Sequence, residues 1–295
     1  MRKYITIFAA LASLASCQKE DVKSVQYAED KLAINMDLEL LSKATDTAFE
    51  SGDNVGVYVV NNNASVAGTL VSSGNHYDNV KFTKTSDGWN ASEPMWWLDK
   101  TTPATFYAYH PYGTPADVNV YEFAVAQNQT TIAAYKASDF VWGKTEPIAP
   151  TASAINISTN HIFSNMLIKV VPGDGFTQAS LDASEVTVNV KNLKTLAVVN
   201  LADGSVTASG AGKTVLPLKE NGYWRAVVVP QTVPVGSQLI GVSVNGVEYI
   251  LSKGVTFKPG NRHTFTVKVN KTGQGINIGI GGWTEDSEDL GGSAE

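Results

Sequence analysis

Leu32-Ala33-Ile34-Asn35-Met36-Asp37-Leu38-Glu39-Leu40 alternates apolar and polar side chains without a break. A period of two puts Leu32, Ile34, Met36, Leu38 and Leu40 on one face and Asn35, Asp37 and Glu39 on the other, as in a strand with one side on a core. The pattern stops at Leu41-Ser42-Lys43-Ala44-Thr45-Asp46, which is small and polar with one isolated basic residue. Phe49-Glu50-Ser51-Gly52-Asp53 then reads as a turn, and Val55, Val57 and Val59 start a second strand. A strong strand is thus joined to the body by a segment expected to be exposed and easily cut after Lys43. Burying its five apolar side chains is worth roughly 8–15 kcal/mol gross, an upper estimate. That matches the whole stability of an ordinary domain, about 5–15 kcal/mol. A body that lost this strand would need a replacement, which is a driving force for assembly by strand addition.

Upstream of this strand the sequence carries export signals. Arg2-Lys3 form a positive n-region, Ile5 to Leu14 an apolar h-region, and Leu14-Ala15-Ser16-Cys17 matches the bacterial lipobox, in which the cysteine is acylated and becomes the new N-terminus. Cys17 is the only cysteine, so lipidation accounts for a thiol that would otherwise be an oddity in an exported protein. No other stretch approaches the ~18 apolar residues of a membrane span. After loss of Arg2 and Lys3 the chain carries 20 basic against 28 acidic residues, a net of −8. An acidic surface without Lys/Arg clusters argues against nucleic acid as a partner. Residues 18–31 are polar and aperiodic and read as a tether.

Downstream, short apolar runs alternate with turn residues. Asn245-Gly246 between Leu239–Val244 and Val247–Leu251 is the clearest hairpin signal. With no convincing helix, the pattern predicts an all-β chain of two tandem β-sandwich domains. The expected division is 1–16 as lipoprotein signal peptide, 17–43 as tether plus removable first strand, 44–152 as the N-terminal domain and 153–295 as the C-terminal domain.

Separated patches carry a family likeness, among them the run from Tyr223 to Gln231 that ends Val-Val-Pro-Gln and those that follow. K-A-T-D-T-x-F-E-x-G-D-x-V-G-V-Y begins at Lys43, W-W-L-D-K-x(4)-T-F-Y-A-Y-H-P-Y begins at Trp96, and Asp139-Phe140-Val141-Trp142-Gly143 is followed by His161-Ile162-Phe163-Ser164-Asn165-Met166-Leu167-Ile168. Together they resemble the fimbrillin family, pilins of type V pili in Bacteroidales. The resemblance implies transthyretin-like sandwiches, a lipoprotein precursor at the outer membrane and cell surface, and a trypsin-like protease that cuts between Lys43 and Ala44. It further implies other pilus subunits as partners by strand exchange, and a place in the fimbrium. The family's donor strand maps onto roughly Ile276 to Leu290, where Ile276, Ile278, Ile280 and Trp283 are the candidate donor residues. The acidic, glycine-rich run from Thr284 onward suits an apolar groove poorly, so stalk and tip roles both stand.

Enzyme readings find no support. The four histidines are scattered without metal spacing, and no nucleophile, phosphate or dinucleotide motif occurs. No cofactor is expected. Trp96, Trp97, Tyr107, Tyr109 and Tyr112 are ligand-like in kind, but alternate aromatics in a strand are expected to fill a core. Their exposure would favour the alternative, a tethered glycan- or host-binding lipoprotein or a pilus-tip adhesin that does not polymerise.

Overall fold

The computed structural model describes residues 31–40, 48–63, 66, 68–272 and 275–280, with Thr272 and residues 275–280 by backbone alone. Cys17, Lys43, Ala44 and Trp283 lie outside these residues. The chain forms β1 (Met36–Leu40), β2 (Asn54–Asn61), β3 (Tyr77–Thr85), β4 (Gly88–Ala91), β5 (Ala104–His110) and β6 (Tyr121–Ala124). Helix α1 (Ile132–Ala137), β7 (Val141–Lys144), β8 (Ile155–His161), β9 (Ser164–Pro172), helix α2 (Gln178–Asp182) and β10 (Val186–Val199) follow. The remainder is β11 (Val206–Val215), β12 (Leu218–Glu220), β13 (Tyr223–Val228), β14 (Thr232–Val233) and β15 (Gln238–Val244). Last come β16 (Val247–Ser252), β17 (Val255–Thr256), β18 (Arg262–Thr272) and β19 (Gly275–Ile280).

Among the described residues the fold is all-β with two helical turns that the sequence pattern did not predict. Each is too short to show a 3.6-residue period, and each is started by a threonine cap. Thr131 accepts from the Ala134 N–H, and Thr177 forms a reciprocal capping box with Ser180. The Asn245-Gly246 hairpin forms as expected, with both residues at positive φ, joining β15 to β16.

The first sheet has the order β1-β8-β7-β5-β2-β3-β4. The expected division at residue 153 falls just before β8, whose backbone pairs with β7 and β1 in this sheet. The chain changes sheets at Ile162-Phe163, both buried, and Ser164 then opens β9 with its hydroxyl donating to the Lys258 carbonyl. The central strands of the first sheet are buried on both faces. Val55, Val57 and Val59 of β2 and Ala104, Phe106 and Ala108 of β5 enter one core with Val80, Phe82, Ile155 and Ile157. Tyr58, Tyr107 and Tyr109 point the other way, into a second core with Phe140, Phe163 and side chains of β10, β12 and β13. Burial raises the Tyr109 hydroxyl far above its usual range, so it stays protonated, within hydrogen-bond distance of Asn79 Oδ1 and the Gly113 carbonyl. Gly56 is needed beside it, because a Cβ there would stand 2.3 Å from the Tyr109 ring.

A second sheet, β11-β10-β15-β16 with β6 also paired to β10, and a third, β12-β13-β9-β18-β19, share the remaining core. Met166, Ile168, Trp224, Phe265 and Val267 come from the third sheet, and Val188, Val190, Leu239, Ile240 and Val242 from the second. At the base of β18, His263 is held against Phe257 with ring centroids 5.1 Å apart, and its Nε2 accepts from the Lys258 N–H at 3.2 Å. Burial, aided by the Lys258 charge, lowers its pKa below the ordinary 6.5. The unfolded chain therefore binds a proton that the folded chain resists, and this site loses stability as pH falls through and below the ordinary value. His263→Gln is expected to show a smaller drop in melting temperature between about pH 7 and pH 5 than the unsubstituted chain. Parallel melting curves for the two chains would remove the imidazole as the cause.

Candidate functional site

The groove occupied by residues 32–40 is built from three surfaces. Residues 32–35 run antiparallel to the loop before β5: the Ile34 N–H donates to the Met95 carbonyl and the Trp97 N–H to the Leu32 carbonyl, both at 2.9 Å. The chain then crosses to β8, whose Ile155 N–H donates to the Asn35 carbonyl at 2.8 Å. From there β1 runs parallel to β8, Met36 opposite Ile155 through Leu40 opposite Thr159. The third surface is β4, at the far edge of the same sheet, where the Trp89 indole N–H donates to the Leu38 carbonyl at 3.1 Å. The sheet thus curls until its two edge strands meet across the core.

The alternation sorts the side chains as the sequence predicts. Ile34 and Leu38 are buried, at 8% and 4% exposure, while Leu32 and Met36 pack partly buried against the same core and Leu40 is partly buried. Asn35, Asp37 and Glu39 are exposed. Glu39 also ties the strand to β8, accepting from the Ser158 hydroxyl at 2.7 Å through its carboxylate and from Thr159 Oγ1 at 2.9 Å through its carbonyl. Parallel pairing is slightly weaker per residue than antiparallel pairing, and among the described residues no strand pairs with the outer edge of β1. The arrangement can therefore hold one extended segment by backbone bonds and alternate side-chain pockets, the chemistry of strand addition.

Trp89, Met95, Ile155 and Ile157 line the groove and escaped sequence reasoning, whereas Trp97 was expected to fill a core without being assigned to this one. Only the I-x-I alternation at 155–157 carried a local signal, and it did not say which strand would pair with it. The candidate donor residues Ile276, Ile278 and Ile280 lie in β19, opposite Lys271, Val269 and Val267 of β18. Of the five aromatics with ligand-like character, Trp97, Tyr107 and Tyr109 are buried, and Trp96 and Tyr112 are partly buried. The packing expectation therefore holds for the first three.

Fold and groove define an all-β protein whose first described strand closes a core at a sheet edge. The model of the fimbrillin-like family matches residues 42–283, and the chain belongs to that family. It is 24% identical, over 96% of both chains, to a Bacteroides uniformis protein that carries the name of a fimbrium subunit, Fim1C. Its fold is similar to a crystal structure from Bacteroides uniformis described as a cell adhesion protein, with a TM-score of 0.65 and 21% identity over 86% of this chain and 97% of that one. A cell adhesion protein from Bacteroides ovatus has the same TM-score at 17% identity, covering 85% and 96%.

Proposed function

We propose that the chain is a non-enzymatic fimbrial subunit acting in cell adhesion, exported as a lipoprotein acylated at Cys17 and displayed at the outer membrane surface. A trypsin-like protease cuts between Lys43 and Ala44, the strand Leu32–Leu40 leaves, and a strand from a neighbouring subunit takes its place. The observation that carries this reading is the groove itself: the segment of residues 32–40 supplies Ile34 and Leu38 to a core otherwise built by the rest of the first sheet and the loop before β5. Its chain continues straight into the segment that holds Lys43. The family membership and the names borne by similar proteins support the same reading. The two halves are read as tandem sandwiches, and the core shared by the second and third sheets supports this for the C-terminal half.

The test is limiting trypsin on the soluble chain from residue 18, followed by intact mass and gel filtration. We expect one early cut after Lys43, loss of the first strand and growth of high-mass species. Lys43→Ala should stay uncut at this site and monomeric. A chain cut there that persists as a stable monomer would overturn strand exchange.

A further inference from the structure

The sequence holds two Asn-Gly pairs, Asn221-Gly222 and Asn245-Gly246. Each is the two-residue turn of a hairpin, the first joining β12 to β13 and the second β15 to β16. Their backbones agree closely, with φ of 49° and 79° in the first turn and 51° and 81° in the second. All four residues are exposed, and a Cβ at either glycine would meet nothing within 4 Å. A glycine leaves its own amide nitrogen unshielded, so in both turns that nitrogen is open to the carboxamide of the asparagine before it.

The side chains differ. Asn245 Oδ1 accepts from the Glu185 N–H at 2.9 Å, and Asn245 Nδ2 donates to Ser184 Oγ at 3.2 Å. That carboxamide is tied to the turn between α2 and β10. The Asn221 side chain has no hydrogen bond among the described residues. The hairpins differ as well. β12 pairs with β13 over three residues at the edge of the third sheet, from Leu218 opposite Arg225 to Glu220 opposite Tyr223. β15 and β16 pair from Val244 opposite Val247 back to Gln238 opposite Ser252. A turn on a short edge ladder opens locally more readily than one on a long ladder.

We propose that Asn221 is a site of spontaneous deamidation and that Asn245, in the same kind of turn, is protected. The Gly222 amide nitrogen gives up its proton and attacks Asn221 Cγ. The new C–N bond closes a succinimide ring, and the Cγ–Nδ2 bond breaks to release ammonia. Water then opens the ring at either carbonyl, giving aspartate or isoaspartate without any oxidant or cofactor. Closure at Asn245 requires both of its hydrogen bonds to break first, which slows it by about tenfold or more. The two products act differently on the sheet. Aspartate keeps the turn and sets a second carboxylate beside Glu220, whose own carboxylate pairs with Arg225 at 2.8 Å. Isoaspartate adds a methylene to the main chain, so the two-residue turn no longer brings Glu220 opposite Tyr223. β12 then leaves the edge of the third sheet, and Leu218 leaves the second core. The modification goes beyond the assembly reading and stands whether or not the first strand is cut.

The test incubates the chain from residue 18 in mildly alkaline buffer, folded and in urea, and follows both sites by peptide mapping. Lys219, Arg225 and Lys253 place the two asparagines in separate tryptic peptides. In the folded chain the acid at position 221 is expected to form at least about tenfold faster than at 245, and in urea the two rates should converge. Ser184→Ala, which frees Asn245 Nδ2, should speed the reaction at 245 by about threefold or more and leave 221 unmoved. Equal rates in the folded chain, or a folded chain inert at 221 while the chain in urea reacts, would overturn the site. Once separated by ion exchange, the isoaspartyl form is expected to exchange the amides of residues 218–220 at least about tenfold faster than the unmodified chain. Unchanged exchange there would overturn the loss of β12.

Discussion

Leu38→Asp is expected to lower the melting temperature by about 10 °C or more, the largest effect of any single change in the first strand. Leu38 is 4% exposed and shares its core with Ile34, Val57 and Phe106. Truncating such a side chain to alanine costs about 2–5 kcal/mol. A carboxyl group adds the cost of desolvating a charge, or of taking up a proton to avoid it. Each kcal/mol moves the melting temperature by about 2–4 °C in a chain of this size class. Asp37→Ala, on the exposed face one residue away, should stay within about 0.5 kcal/mol of the unsubstituted chain. Thermal melts of the two variants give the contrast, and similar shifts would mean that the alternation does not define the buried face.

The same variant separates a removable strand from an ordinary one. Only Ile34 and Leu38 are fully buried, so the gross burial of the five apolar residues falls from the sequence-level figure to about 5–10 kcal/mol. That is small enough for one bad residue to release the strand and large enough for a good strand to replace it. The uncut Leu38→Asp chain is therefore expected to bind a labelled peptide of residues 31–43, read by fluorescence anisotropy, while the unsubstituted chain does not. A chain that loses stability yet takes up no peptide has a groove that collapses when empty, which would count against strand exchange.

The face of the first strand was legible because alternation is local: five apolar positions in nine residues suffice to assign it. Its pairing was not. Met36 lies opposite Ile155, far away in the chain, and no local property of either stretch names the other. The run from His161 to Ile168 looks like one strand because five of its eight residues are apolar and none is glycine or proline. Ile162 and Phe163 break it because both are drawn into the second core, which only the assembled sheets define. The aromatics of β5 were legible as packing residues, but the two-faced burial of that strand follows from having cores on both sides.

That two-faced burial leads to the second large effect, Phe140→Ala. Phe140 is 0% exposed and stacks on Tyr109 at 6.0 Å with rings 12° from parallel, and on Phe163 at 5.7 Å and 29°. Phe123 of β6 meets it edge-on at 5.0 Å. Tyr109 belongs to the first sheet, Phe123 to a strand paired with β10 of the second, and Phe163 immediately precedes β9 of the third. One ring therefore touches the first two sheets and the link that leads into the third. Removing it should cost about 3–5 kcal/mol. Phe265→Ala, in the core shared only by the second and third sheets, should cost a comparable amount. The two losses should differ in shape. Phe265→Ala weakens one core and leaves the coupling between sheets intact, so its calorimetric trace should keep the form of the unsubstituted chain's at a lower temperature. Phe140→Ala removes the shared ring, so the first sheet and the other two should begin to melt separately, and the transition should broaden or split. A narrow two-state transition in Phe140→Ala, with equal calorimetric and van't Hoff enthalpies, would place the coupling of the two halves elsewhere in the second core, with Leu201, Val227 and Val229 the next residues to truncate.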